Sequence, residues 1–200
     1  MVNRMNRRDN MLSLRKSIIR STELLYAAGL NTTYSGNVSI RAGDSAMLIT
    51  PGSMDKTSLS PKDISLFDFR TDTLVSGPKQ SSEYKMHSST YSATNTKSVV
   101  HAHPPYSVAV YDSLGRKAYS GIGDKEAAYY IGKLGFVGRY DPGSERLASA
   151  VSSEFRNGAC TVIMQGHGTV AVGREIAEAR GRVEYLEYIS KRIYIRQMLM

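Results

Sequence analysis

Four side chains in this sequence carry the atoms that metal-assisted proton chemistry needs: His101 and His103 in "SVVHAHPPYSVAV", His167 in "MQGHGTVAVG", and Glu83 in "SSEYKMHSST". Only four histidines occur among 200 residues, and two of them stand one residue apart. In an extended strand alternate side chains share a face, so His101 and His103 point the same way, roughly 6–7 Å apart along the chain. Ser98, Val99 and Val100 favour a strand, whereas Pro104 and Pro105 cannot donate to a ladder and end it. The pair is therefore expected at a strand end, where two imidazoles can grip one metal ion. Taken alone, the spacing is more often two solvated imidazoles on a surface strand, because short motifs match widely by chance.

His167 repeats the design. "ACTVIMQGHGTVAVG" reads as a strand rich in Val and Ile that runs into Gly166, His167 and Gly168, placing a third imidazole at a strand end between glycines that let backbone approach closely. Three imidazoles around a divalent ion leave a position open for substrate, and such an ion acts as a Lewis acid. Glu83, in the first turn of its own helix just upstream of the HAH strand, is the nearby carboxylate for moving a proton. Considered singly, a glutamate there is a favourable charge on the helix dipole. His87, four residues on along the same helix face, is expected to be a packing histidine with a hydrogen bond.

The elements that must position these groups follow from pattern. Residues 11–28 carry Leu12, Leu14, Ile18, Ile19, Leu24, Leu25 and Ala28 in a helical rhythm that stops at Gly29. "TYSGNVSIRAG" gives a loop at Ser35, Gly36 and Asn37 and then a short strand, and "SAMLITPG" gives a second strand halted by Pro51. Ser60, Pro61 and Asp63 predict a single capped turn, followed by a strand near Leu66 to Phe69 and a charged hairpin. Ser81 or Ser82 is expected to cap the helix that holds Glu83. After the HAH strand and the Val/Ile strand comes a long amphipathic helix with Ile176, Ala179, Val183, Leu186 and Ile189 on one face. The order predicts one α/β domain of α+β layered type over residues 1–200, with residues 1–10 flexible.

Composition narrows the function classes. A hydrophobic content of 41% supports a sizeable core, and no window approaches 18 consecutive apolar residues. The basic N-terminus lacks an apolar h-region, so a cytoplasmic protein with no membrane partner is expected. The net charge of +8 attracts phosphates of any kind, but Lys and Arg cluster in residues 4–20 and 180–196 without aromatics and Gly interleaved in an RNA-binding pattern, so no nucleic-acid partner is expected. Steering of an anionic small substrate accounts for the charge better. The single Cys160 forms no internal disulfide, and its apolar setting predicts a buried strand thiol.

In their order and spacing, "SGNVS", "LITPGS", "SSE", "HAHP" and "GHGTVAVG" resemble the class II aldolase and adducin head family, over roughly residues 12–193. Its members include fuculose-phosphate aldolase, ribulose-phosphate epimerase and methylthioribulose-phosphate dehydratase. The resemblance implies a central, mainly antiparallel β-sheet flanked by helices. It implies that His101, His103 and His167 hold Zn2+, one per subunit or another divalent metal, and that Glu83 is the catalytic acid/base. It also places a phosphate pocket at Gly36, Asn37, Thr50, Gly52, Ser81 and Ser82. The implied reaction is cleavage of a small ketose 1-phosphate to dihydroxyacetone phosphate and an aldehyde, in a homotetramer with its active site at the subunit interface. Dehydration or C4 epimerisation of a sugar phosphate is the alternative within the family, and a non-catalytic adducin-like interaction module the alternative outside catalysis. Here the loop reads "TPGS" where the family has Thr-Pro-Ser-Gly or Thr-Pro-Thr-Gly. The family also completes its site from a neighbouring subunit; Asp124, Lys125, Glu126, Tyr129, Tyr130 and Tyr194 lie in the relevant stretches without a secure assignment.

Overall fold

Alternation along the strands sorts the apolar side chains onto the two faces of one sheet. The computed structural model describes residues 2–120 and 125–199. Its strands are β1 (Asn37–Arg41), β2 (Ala46–Ile49), β3 (Ser65–Asp68), β4 (Thr73–Ser76), β5 (Ser98–Ala102), β6 (Leu134–Val137), β7 (Thr161–Met164) and β8 (Gly168–Gly173). Its helices are α1 (Val2–Ala27), α2 (Tyr84–Ala93), α3 (Pro105–Leu114), α4 (Lys125–Ile131), α5 (Glu145–Arg156) and α6 (Ile176–Met198). The sheet order is β4-β3-β2-β1-β5-β8-β7-β6. Val99, Met47, Val162 and Val170 face a layer made by α2 and α5, with Met86, Leu147 and Val151. Val100, Ala102, Val38 and Ala171 face the opposite layer, with Ile18 and Leu25 of α1 and Ala179 and Val183 of α6. On that same side Ile163 packs with Val110, Ala127, Leu186 and Ile189. Period-2 alternation therefore sends His101, two residues after Val99, toward the α2 layer.

The α/β layering matches expectation, with a refinement. Most neighbouring strands pair antiparallel, but β6 and β7 run parallel, so the sheet is mixed. The reason is the connection: a tight hairpin forces antiparallel pairing, whereas α5 crosses over between β6 and β7 and allows a parallel pair. Ser144 caps that helix, its Oγ accepting the Leu147 N–H at 3.1 Å.

Three local expectations are revised. Helix α1 begins at Val2, nine residues before the predicted start at residue 11, and ends as predicted at Gly29, where the Leu30 N–H donates to Leu25 O at 3.0 Å and the Gly29 N–H to Tyr26 O at 2.9 Å. The stretch read as a single Val/Ile strand is a hairpin, β7 and β8, with His167 in its turn. Helix α2 begins at Tyr84 with Glu83 itself at the N-cap position, so Ser81 and Ser82 precede the cap. The Glu83 N–H donates to Ser81 Oγ at 3.3 Å, and the Tyr84 N–H to Ser81 O at 3.1 Å, forming a tight turn that competes with an earlier helix start. The capped turn at Pro61–Asp63 is present, the Ser60 N–H donating to Asp63 Oδ2 at 2.9 Å. Among the described residues, no helix is long and apolar enough to cross a membrane.

Candidate metal centre and active site

The two strands that bring the histidines together are paired directly. β5 lies antiparallel to β8, with His101 opposite Val170 and Ala102 opposite Thr169, so the end of β5 meets the turn carrying His167. His103 sits just past the end of β5, where Pro104 stops the ladder. The three imidazoles offer ligand nitrogens all within 4.8 Å of one another. Close approach depends on Gly168, where a Cβ would overlap Ala102 O and come within 2.9 Å of His101 Cε1 and 3.0 Å of His103 Cδ2.

The chemistry of this donor set fits a metal ion. His101 Nδ1 is 2.9 Å from Thr169 O; that nitrogen must carry the proton it donates, which leaves Nε2 with a free lone pair. His101 Nε2 lies 2.9 Å from His103 Nε2, and His167 Nδ1 is buried without a partner. Burial pushes all three imidazoles below their ordinary pKa, His103 to about 4, with the neighbouring histidines adding to the effect on His101. All three are thus neutral near pH 7, the form that ligates metal.

Glu83 closes the site from the N-terminus of α2. Its Oε1 is 4.0 Å from His167 Nε2, and its Oε2 is buried without a partner. Burial raises its pKa, offset in part by a hydrogen bond from the Gly143 N–H. A carboxyl so held can carry a proton nearer neutral pH than a solvated one. Buried polar atoms are normally hydrogen-bonded, and three that are not, on Asn31, Glu83 and His167, lie around the triad.

The expected phosphate residues cluster beside this centre. Asn37 stands opposite His101 in the β1–β5 pairing, and Gly36 precedes it with a φ of +70°. A Cβ on Gly36 would overlap the Asn31 amide, so only glycine fits. Thr50 is joined to Asn37's strand by the Val38 N–H, which donates to Thr50 Oγ1 at 3.2 Å, and to the serine turn by the Ser81 N–H, which donates to Thr50 O at 3.1 Å. Ser81 is buried and Ser82 is exposed. Gly52 lies against Gln80, but its N–H is committed to Lys79 O at 3.0 Å, so it contributes close approach rather than a free donor.

His87 plays the packing role expected of it, and one that matters for the site. It is fully buried, and burial lowers its pKa to about 3. Neutral His87 donates from Nε2 to Asn37 Oδ1 at 2.6 Å and accepts at Nδ1 from Ser39 Oγ at 2.7 Å, while Tyr91 OH lies 2.8 Å from the same Ser39 oxygen. The chain holds Asn37 by its oxygen, so its NH2 group is not used in that bond.

Two residues escaped the sequence reading. Asn31 Oδ1 accepts the His103 N–H at 3.1 Å, and Lys56, only 4% exposed, donates to Tyr34 O at 2.7 Å. Burial lowers the Lys56 pKa, and its charge in turn lowers that of His103. Neither position belongs to a motif, so no local signal marks it. Of the unassigned residues, Asp124 lies outside the described residues, Tyr129 is 80% exposed, Tyr130 stacks on Tyr185, and Tyr194 packs on Tyr106. Cys160 is a free, half-buried thiol beside Gly132 rather than a fully buried one, because it immediately precedes β7.

A mixed sheet whose strand ends carry three convergent imidazoles beside a buried glutamate defines a class of α/β fold with a candidate metal centre. The chain belongs to the Class II Aldolase and Adducin N-terminal domain family, whose model matches residues 16–194. It is 31% identical over 182 residues to an L-fuculose phosphate aldolase of Methanococcus maripaludis, covering 90% of this chain and 96% of that protein. It is 26% identical over 190 residues to a 3-oxo-tetronate 4-phosphate decarboxylase of Haemophilus influenzae, covering 93% and 89%. In fold it is similar to L-fuculose-1-phosphate aldolase from Thermus thermophilus, with a TM-score of 0.79 at 24% identity over 93% of this chain and 95% of that one.

Proposed function

We propose that this protein is a zinc-dependent lyase that cleaves a small ketose 1-phosphate to dihydroxyacetone phosphate and an aldehyde. The observation that carries the reading is the convergence of three neutral imidazoles within 4.8 Å, with the Glu83 carboxylate 4.0 Å from His167. His101, His103 and His167 would hold the zinc ion, which would supply Lewis acidity toward a carbonyl and its neighbouring hydroxyl. The phosphate is held by the Asn37 NH2 group and the hydroxyls of Thr50, Ser81 and Ser82 at the approach to α2, with Gly36 and Gly52 allowing the loops to close on it. Anchoring the phosphate there presents the reacting carbons to the triad and to Glu83. As the C–C bond breaks, Glu83 moves the proton between substrate hydroxyl and product carbon, a task matched by its raised pKa. The working assembly is a homotetramer in the cytoplasm, with the site completed across a subunit interface.

A second reading is decarboxylation of a phosphorylated 3-oxo acid, favoured by the relatives of that name at 26–29% identity. Both reactions generate the same kind of electron-rich enediolate, and the same donors stabilise it. The test is metal analysis of the purified protein, with a panel of ketose 1-phosphates assayed for dihydroxyacetone phosphate, in wild type and Glu83→Gln. About one zinc per chain, with cleavage that collapses in the variant, is the expected result. Release of carbon dioxide from 3-oxo acid phosphates without cleavage of any ketose phosphate moves the assignment to the second reading. Absence of bound metal removes both.

A further inference from the structure

Lys56 is the one lysine or arginine among the described residues that is fully buried, and nothing in the proposed chemistry uses it. A buried ammonium is costly unless it is paired, yet this one has a single carbonyl partner, Tyr34 O, for its three N–H bonds. Among the described residues the carboxylate that acts on it is that of its half-buried neighbour, Asp55. Its position is fixed by the backbone, since the Lys56 N–H donates to Thr33 O at 2.9 Å, clipping it to the loop of residues 31–36. That loop lies against the metal ligands: the His103 N–H donates both to Leu30 O at 3.0 Å and to Asn31 Oδ1 at 3.1 Å. The other end of the Asn31 amide, Nδ2, is buried with no acceptor. One donor without an acceptor, Asn31 Nδ2, and one charged group with N–H bonds to spare, Lys56 Nζ, are therefore held on the 31–36 loop that also bonds His103. Lys56 bonds to none of the phosphate-pocket residues.

We infer that Lys56, backed by Asn31, forms a second anion subsite on the His103 side of the centre, and that it recognises a carboxylate on a phosphorylated substrate. The inference rests on the phosphate site proposed above; a ketose 1-phosphate offers Lys56 no carboxylate, so of the two readings it favours the second, a phosphorylated 3-oxo acid. A carboxylate supplies what the site lacks: one negative charge for the ammonium and an acceptor for its free N–H bonds. A neutral hydroxyl supplies no charge, and a second phosphate has nothing further to hold it.

Two probes separate the subsites, because phosphoglycerate and glycerol phosphate share a phosphate and three carbons and differ in a carboxylate against a hydroxymethyl group. Their binding to zinc-loaded protein is measured by calorimetry for wild type, Lys56→Met and Lys56→Arg, with metal content checked in each. Wild type is expected to prefer phosphoglycerate by about ten-fold or more, the scale of one charge-assisted hydrogen bond. Lys56→Met should abolish the preference while changing glycerol phosphate binding less than about two-fold, and Lys56→Arg should retain part of it. If Lys56→Met does not fold, a retained preference in Lys56→Arg or its loss in Lys56→Gln decides the matter. Equal losses for both probes, or no preference in wild type, overturn the carboxylate subsite and leave the phosphate site standing. Failure of wild type to bind either probe removes the phosphate site, and this inference with it.

Discussion

Replacing Gly168 by Ala tests whether the triad depends on how closely the β7–β8 turn approaches β5. The glycine does not sit in the left-handed region, so an added methyl group acts through contact alone. It would overlap Ala102 O and press on His101 Cε1 at 2.9 Å and His103 Cδ2 at 3.0 Å. The carbonyl belongs to a residue in the β5–β8 ladder and cannot swing aside without opening that pairing. His101 is tied through Nδ1 to Thr169 O, so its ring cannot retreat alone. Relief must come from parting the two strand ends, a form of overpacking that costs about 1–3 kcal/mol. Moving the supports of two ligands together lowers metal affinity by about 10–100-fold, or roughly 1.4–2.7 kcal/mol. The assay is zinc affinity by competition with a chelating dye, alongside urea unfolding of the metal-free protein. Gly138→Ala is the control, since nothing lies within 4 Å of a Cβ there. If Gly168→Ala matches wild type in both zinc affinity and unfolding midpoint, the packing argument for the triad is refuted.

The buried imidazoles make the metal-free protein acid-sensitive. His87 is held at about 3 and His103 at about 4, below the ordinary histidine value, so the unfolded chain binds more protons as pH falls. Folded-state stability should drop as pH falls from about 6.5 toward 4, by on the order of 1–2 kcal/mol per imidazole near pH 5, and urea midpoints unchanged across that window contradict the reading. Gly181→Ala within α6 meets open space and should raise stability by about 0.5–1 kcal/mol in thermal or urea unfolding; a loss would show hidden crowding on that face. Glu187→Ala removes the carboxylate that accepts the Tyr106 and Ser107 N–H groups at 2.8 Å each, and the midpoint should fall by an amount equivalent to about 2–4 kcal/mol, since two helix-start donors are orphaned just after the HAHPP turn.

The parts of the site that sequence revealed are those fixed by local rules. Pro104 and Pro105 fix the end of β5, and period-2 alternation fixes the direction in which His101 points. The α1 stop at Gly29 and the turn capped at Ser60 follow from backbone chemistry that those residue types dictate. What was not legible depends on tertiary partners. The Ser81 turn delays the start of α2 by hydrogen bonds that also reach Thr50, more than thirty residues away in sequence. The second strand of the Val/Ile stretch hides because glycine, a poor strand former, opens it, and its close approach to Ala102 O appears only once β5 is in place. Lys56 looks like any solvated lysine until the 31–36 loop folds over it.

This division has a functional consequence. The imidazoles ride on β5 and on the β7–β8 turn in the middle of the sheet, the least deformable part of the molecule, where a metal ion needs fixed distances. Glu83 and the serines ride on the entry to α2, and Asn31 and Lys56 ride on connecting segments that can change length and composition without disturbing the strands. Any reaction that forms an enediolate beside a phosphate can use the first set unchanged. The choice among breaking a C–C bond to an aldehyde, losing carbon dioxide or moving a hydroxyl then falls to the segments around the centre. On that reasoning, exchanging residues 31–36 together with Lys56 should alter which substrates are accepted while leaving zinc stoichiometry intact, whereas no change confined to those segments should restore catalysis to Glu83→Gln.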